Sequence, residues 1–248
     1  MKIAMIRVGV DSKEGGIQGP LFRDRSFEYI PIPETEKLGI VSKYTYGNLI
    51  GRHGRPLSDY FPLRRQAKMA NRGVHCDPEW DTFTYGDYTG TSKAGLRNLK
   101  KGDILIFTCG LGGFEEWRDF HSKPGIYLAG YFIVEVAGKQ SQFSRHAERT
   151  LFKNNEHFRL LKGKRVKYRN GIELILVKGS PQSRLLKKAV LLSTTTQDSN
   201  GNTLKVLSPA MRRTFGRLGG KDSIQRSGTR WIDPAYTKQV ADYLQLLD

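Results

Sequence analysis

Two apolar runs, residues 103–109 and 126–136, constrain the fold more than anything else in this sequence. Both are rich in β-branched and aromatic side chains, and turn-forming residues bound them, so they predict two β-strands in tandem. A third strand is expected over 171–178, and the N-terminal stretch MKIAMIRVGVD reads as a first strand ending at Asp11. Arg7 and Asp11 interrupt its apolar character, which argues against a secretory signal. No run approaches the roughly 18 apolar residues that a membrane span needs.

Helix signals lie between and after these strands. Residues 91–99 predict a short capped helix closed by Lys100-Lys101-Gly102, and a second helix is expected over 141–158. Ser208-Pro209 and Asp233-Pro234 each place a capping side chain before a proline at the first helical position. In the last helix Val240, Tyr243, Leu244 and Leu247 share one face. Strands and helices do not alternate regularly, which argues against a doubly wound sheet. The expected class is α+β: a mixed, strongly curved or barrel-like sheet with flanking helices. The 248 residues suffice for a core without metal or disulfide staples. They are read as a single domain with a pocket-forming half, 1–137, and a basic half, 138–248.

The charge supports that division. The net charge is +17, and residues 138–230 hold 21 basic against 5 acidic side chains, a net +16. No basic helix with an apolar face offers a membrane-surface reading. A polyphosphate partner explains the charge more simply, because each neutralised phosphate releases a counterion. The expected partner is double-stranded DNA, with no membrane and no obligate protein partner. Two unpaired cysteines, Cys76 and Cys109, fit a reducing compartment, hence a cytoplasmic expectation.

Several chemistries lack their motifs. The histidines at 53, 75, 121, 146 and 157 form no H-x-x-x-H pair, and no Cys-x-x-Cys or zinc-deaminase pattern is present. No metal and no cofactor is therefore expected. There is no phosphate-cradling P-loop, no dinucleotide fingerprint and no G-x-S-x-G elbow.

Three polar clusters remain. The first runs from Arg7 through Asp11, Gly15, Gly16 and Gln18; its glycines let backbone approach a ligand closely, or Asp11 caps its own hairpin loop. The second is His75-Cys76-Asp77-Pro78: in an extended segment His75 and Asp77 point to one side, a minimal kit for activating water. A structural His–Asp pair is the alternative. The third, Thr82 to Thr89 with Tyr85 and Asp87, reads as a base-stacking wall or as an edge strand turning at Gly86-Asp87. In the basic half, Gln225 and Arg226 beside Trp231 are candidates for reading a base edge. Arg52, Arg55, Arg184, Lys187, Lys188, Arg212, Arg213 and Arg230 are candidates for the DNA backbone, or form a solvated face.

Arg7-x-Gly9-x-Asp11-Ser12 with Gly15-Gly16, Pro-Ile-Pro at 31–33, His75-x-Asp77-Pro78 and Gly102-Asp103 before an apolar strand together resemble the third nucleotide-modification-associated domain family over residues 1–136. A shorter likeness to the PUA and EVE modules covers 91–136. The family resemblance implies systems that install, recognise or remove hypermodified DNA bases, often in conflicts between phages and bacteria. It places Arg7, Asp11, Gly15, Gly16, His75 and Asp77 in the functional pocket. Where relatives often carry Phe-Gly-Gln, this chain has Tyr85-Gly86-Asp87.

Among base-processing reactions, hydrolysis of an N-glycosidic bond asks least of these residues. One carboxylate steadies an oxocarbenium-like transition state and orients water. The expected function is a metal-independent DNA glycosylase that excises a bulky base, such as a glucosylated or hydroxymethylated one, from phage DNA. Asp77 or Asp11 supplies the carboxylate, His75 assists, and Arg7, Gln18, Tyr85 and Gln225 read the base. The alternatives are a non-catalytic reader of modified bases, a component of a base-modification system, or, less favoured, an RNA-modification protein.

Overall fold

The computed structural model describes residues 1–11, 16–34, 43–114, 124–165, 170–218, 223–225 and 228–247. In chain order the strands are β1 (Ile3–Arg7), β2 (Gly19–Leu21), β3 (Ile32–Pro33), β4 (Val74–His75), β5 (Thr84–Tyr88), β6 (Ile104–Gly113) and β7 (Gly125–Lys139), then β8 (Leu174–Gly179), β9 (Arg184–Leu191), β10 (Ser193–Gln197), β11 (Thr203–Leu207) and β12 (Arg230–Trp231). The helices are α1 (Leu63–Ala70), α2 (Arg145–Leu151), α3 (Glu156–Leu160), α4 (Pro209–Phe215) and α5 (Thr237–Gln245).

The two apolar runs become β6 and β7, the spine of a sheet ordered β12-β1-β6-β7-β8-β5, with β2 also pairing along β6 and β9 along β7. β1 and β2 run parallel to β6 and the remaining pairs are antiparallel, so the sheet is mixed. Register shifts at Phe107/Thr108 and at Val134/Val136 interrupt the β7 ladders, and such irregularities bend and twist a sheet. The sheet does not close into a barrel among the described residues. Its strands come from both sides of residue 137: β8, β9 and β12 join β1, β2, β5 and β6.

Among the described residues three apolar clusters hold the fold. The largest surrounds Phe107 and Phe132 on the main sheet, the second gathers Tyr46, Tyr60, Phe61, Val74 and Phe114, and the third packs Phe152 and Phe158 on Leu174 and Leu176. Val74, Tyr85 and Phe158 belong to different clusters, and each lies within a residue or so of a polar group described below.

Several elements depart from expectation. The first strand ends at Arg7, not Asp11. The helix expected over 141–158 is split into a short 3-10 turn at Gln140–Gln142, α2 and α3. Ser144 and Asn155 each accept a hydrogen bond from the backbone N–H three residues on, at 3.1 Å, and so start a new helix. Residues 91–99 contain a 3-10 helix, Ala94–Asn98. The basic stretch at 184–188 is part of β9, and β10–β11 form a separate ribbon. The two Ser/Asp-Pro helix starts are present: Ser208 accepts from Met211 at 3.3 Å and Asp233 from Ala235 at 2.9 Å. No described helix is long and apolar enough to cross a membrane.

Candidate active site

The polar clusters converge on one cavity of about 1090 Å³, lined among others by Arg7, Asp11, Gln18, His75, Asp77, Tyr85, Asp87, Gln225 and Arg230. Asp11 and Asp77, 66 positions apart in sequence, face the same space.

One wall is built around Asp77. His75 ends β4, and the Asp77 N–H donates back to the His75 carbonyl at 2.9 Å, so the chain turns tightly between them. The extended segment expected here is thus two residues long, yet both side chains still reach the cavity. The Asp77–Pro78 peptide is cis. Both Asp77 oxygens accept from the Gly86 N–H of β5, at 3.1 and 3.2 Å. Oδ2 also lies 3.5 Å from Nε2 of His157, which α3 carries against β5. That approach depends on Gly86: a Cβ there would sit 2.8 Å from His157 Cδ2 and 3.0 Å from Asn155 Oδ1. The His75 and His157 rings meet edge to face with centroids 4.6 Å apart, and His75 Nδ1 lies 3.0 Å from Glu34 Oε2.

Burial governs the charge states on this wall. It pushes the Asp77 carboxyl up to about 8, against the opposing pull of His75, the Gly86 amide and Lys93. It also pulls the His157 imidazole below its usual value, so both partners of the 3.5 Å contact lean toward their neutral forms. Asp87 behaves differently. Burial raises it, but Lys93, the Tyr88 amide, His157 and Thr91 together hold it below the usual carboxylate range. Lys93 Nζ lies 3.3 Å from Asp87 and donates to the Tyr85 hydroxyl at 2.7 Å, while that hydroxyl donates to Asp87 at 3.0 Å. The Tyr85 ring is buried against Phe107, with centroids 5.6 Å apart. Its hydroxyl, not its face, therefore serves the cavity, which removes Tyr85 from the expected stacking wall. β5 runs straight through Gly86-Asp87 as an edge strand, without the expected turn.

A second group is cationic. Arg7 donates to the Gln225 carbonyl at 2.7 Å and pairs with Asp11 at 3.4 Å. Lys205 and Arg230 line the same cavity. Burial, with Arg7 as a lesser cause, pulls the Lys205 ammonium below its usual value. Three buried polar atoms of lining residues, Gln18 Oε1, Thr229 Oγ1 and Arg230 Nε, have no hydrogen-bond partner among the described residues. Orphaned donors and acceptors at a cavity wall suit a polar occupant.

A family model described as nucleotide modification associated domain 3 matches residues 2–243. The chain belongs to that family. No curated protein and no solved structure matches it. Membership in the nucleotide modification associated domain 3 family ties the chain to modified nucleotides, and the match extends well past the 1–136 stretch that carries the motif resemblance.

The remaining sequence candidates are placed differently in this family member. Gly15 and Arg226 fall outside the described residues. Gly16 donates to the Asp11 carbonyl at 2.9 Å and does not line the cavity. Of the proposed backbone-contacting cations only Arg230 lines the cavity. Lys187, Lys188, Arg212 and Arg213 are exposed outside it, and Arg52 and Arg184 donate to the carbonyls of Leu186 (2.6 Å) and Leu247 (3.5 Å). Arg55 is half-buried.

Sequence reasoning missed His157, Lys93 and Lys205. His157 lay in an expected continuous helix and Lys93 in an expected capped one. His-x-Asp followed by a distant His was the one available signal for the cluster. No metal-ligand spacing is evident in the sequence, but the fold brings His75, Asp77 and His157 to within 4.8 Å of one another through one potential ligand atom each.

Proposed function

We propose that this family member is a DNA glycosylase that hydrolyses the N-glycosidic bond of a bulky modified base extruded from DNA, in defence against phages with hypermodified genomes. The observation that carries this reading is the convergence of Asp11, Asp77 and two histidines with a cationic group on one cavity of about 1090 Å³. That volume suits a flipped nucleotide whose base bears a sugar-sized substituent.

In this reading Arg7, Lys205 and Arg230 meet the phosphates, and Gln18 and Gln225 read the edge of the base. The His75–Asp77–His157 cluster orients a water molecule and takes one of its protons. The water oxygen bonds to C1′ of the sugar, and the C1′–N bond breaks with its electron pair leaving on the base. Asp11 steadies the positive charge that builds on the sugar. Lys93 and the Tyr85 hydroxyl stand as donors for the departing base, which leaves protonated. Extruding the base costs a few kcal/mol, which contacts from the basic half to the backbone offset.

The test is mass spectrometry of small molecules released when the protein meets glucosylated or hydroxymethylated phage DNA, with unmodified DNA alongside. Free modified base and abasic sites are expected only from modified DNA. Preferential binding without release would make the protein a reader. Direct strand breaks without free base would reject both readings.

A further inference from the structure

We propose that His75, Asp77 and His157 form a binding site for one divalent transition-metal ion. The proposal rests on the reading above only for the use of the ion, not for the existence of the site.

The three groups present two imidazoles and a carboxylate, a borderline set that suits zinc, cobalt or iron rather than manganese, magnesium or calcium. Their potential ligand atoms lie within 4.8 Å of one another. His157 Nε2 and Asp77 Oδ2 are already 3.5 Å apart, close to the ~3.4 Å that separates two donors bound at about 2.1 Å to one tetrahedral ion.

The supports are those of a built site. Glu34 Oε2, 3.0 Å from His75 Nδ1, occupies that nitrogen and leaves Nε2 to ligate. A carboxylate behind a ligating imidazole fixes its tautomer and aim. The Gly86 N–H holds both Asp77 oxygens, which sets the carboxylate plane. Asn155, fully buried, starts α3 two residues before His157, and the missing Cβ of Gly86 lets that ring approach. Asp77 is 7% exposed, and among the described residues no lysine or arginine pairs with it; Lys93, whose charge reaches Asp77, is paired with Asp87 at 3.3 Å. A buried carboxylate with no cation of its own suits a metal ion.

Three protein ligands facing an open cavity leave coordination positions for water, the pattern of a catalytic rather than a structural ion. Such an ion lowers the pKa of its bound water toward ~7 and so supplies the nucleophile for hydrolysis at C1′.

The test uses the untagged full chain, stripped with chelator and reloaded separately with Zn(II), Co(II), Mn(II) and Mg(II). Metal content is then read by mass spectrometry and by the visible absorption of Co(II). The expected result is about one Zn(II) or Co(II) per chain and no retained Mg(II). Asp77→Asn and His157→Gln lose the ion while circular dichroism and melting show them folded, and Glu34→Gln weakens affinity about 10- to 100-fold. Substoichiometric metal in the wild-type protein, equal retention of Mg(II), or folded variants that bind as well as wild type would overturn the proposal. If an ion binds but no base is released from modified DNA, the site stands and the glycosidic reading falls. If the stripped protein releases base at full rate, the reading stands and the catalytic use of the ion falls.

Discussion

The short segment from His75 to Trp80 separates two cavities that differ in kind. His75 and Asp77 face the large one, while Cys76, Pro78, Glu79 and Trp80 face a smaller one of about 470 Å³ with Tyr29, Pro31 and Tyr44 on its walls. On the small side the one carboxylate of this segment is spent on structure. Glu79 accepts from the Asp81 N–H at 2.6 Å and from the Thr82 N–H at 2.9 Å, closing its own turn. Burial pushes the Cys76 thiol up to about 12, which leaves it unreactive at neutral pH. In the large cavity Asp77 has one backbone donor and a histidine at 3.5 Å. The comparison teaches that chemistry lies where buried ionisable groups have no structural task that uses them up.

The two sides should therefore respond differently to substitution. Asp77→Asn, on the large side, should lower base release about 10²- to 10⁴-fold while binding of modified DNA survives, measured by product assay against a gel-shift titration. Comparable loss of binding would mean that Asp77 recognises rather than reacts. Trp80→Ala, on the small side, removes a ring packed against Phe107 and Phe132 at centroid distances of 5.2 and 5.4 Å. It should cost about 3–5 kcal/mol in urea unfolding. A cost below about 1 kcal/mol would show that the small cavity is not a structural wall.

Gly86→Ala tests the contact between strand and helix behind Asp77. The added methyl has no room beside His157 and Asn155, and a loss of about 1–3 kcal/mol in stability is expected together with reduced turnover. Unchanged stability would mean that α3 does not pack this closely on β5. The smallest effect belongs to Arg230→Gln, which should lower the salt slope of DNA affinity by about one, equally for modified and plain DNA. Loss confined to modified DNA would assign Arg230 to the base instead.

Much of this site was legible because its residues stand out as polar clusters at the ends of apolar strands. Arg7, Asp11, Gln18, His75, Asp77, Asp87 and Gln225 all belong to such clusters and all reach the large cavity. His157 was hidden because helical periodicity runs on through Asn154-Asn155, and only the Asn155 cap breaks it. Tyr85 was misjudged because an aromatic between polar neighbours looks exposed, whereas its strand lies on the core and buries the ring. The tandem strands were clear from their β-branched runs. β9 was not, because its inward residues Leu186 and Ala189 fall three apart and exposed Lys187 and Lys188 dominate the pattern. The β10–β11 ribbon carried a signal in Asn200-Gly201 between Thr-rich stretches, a pair favoured in hairpin turns.

The most direct test is a crystal structure of the Asp77→Asn variant with a duplex carrying one glucosylated cytosine. The account predicts the sugar-bearing base turned out of the helix and enclosed between Asp11 and residue 77, with its phosphates against Arg7 and Arg230. A base left stacked in the duplex, or lodged beside Trp80, would contradict it.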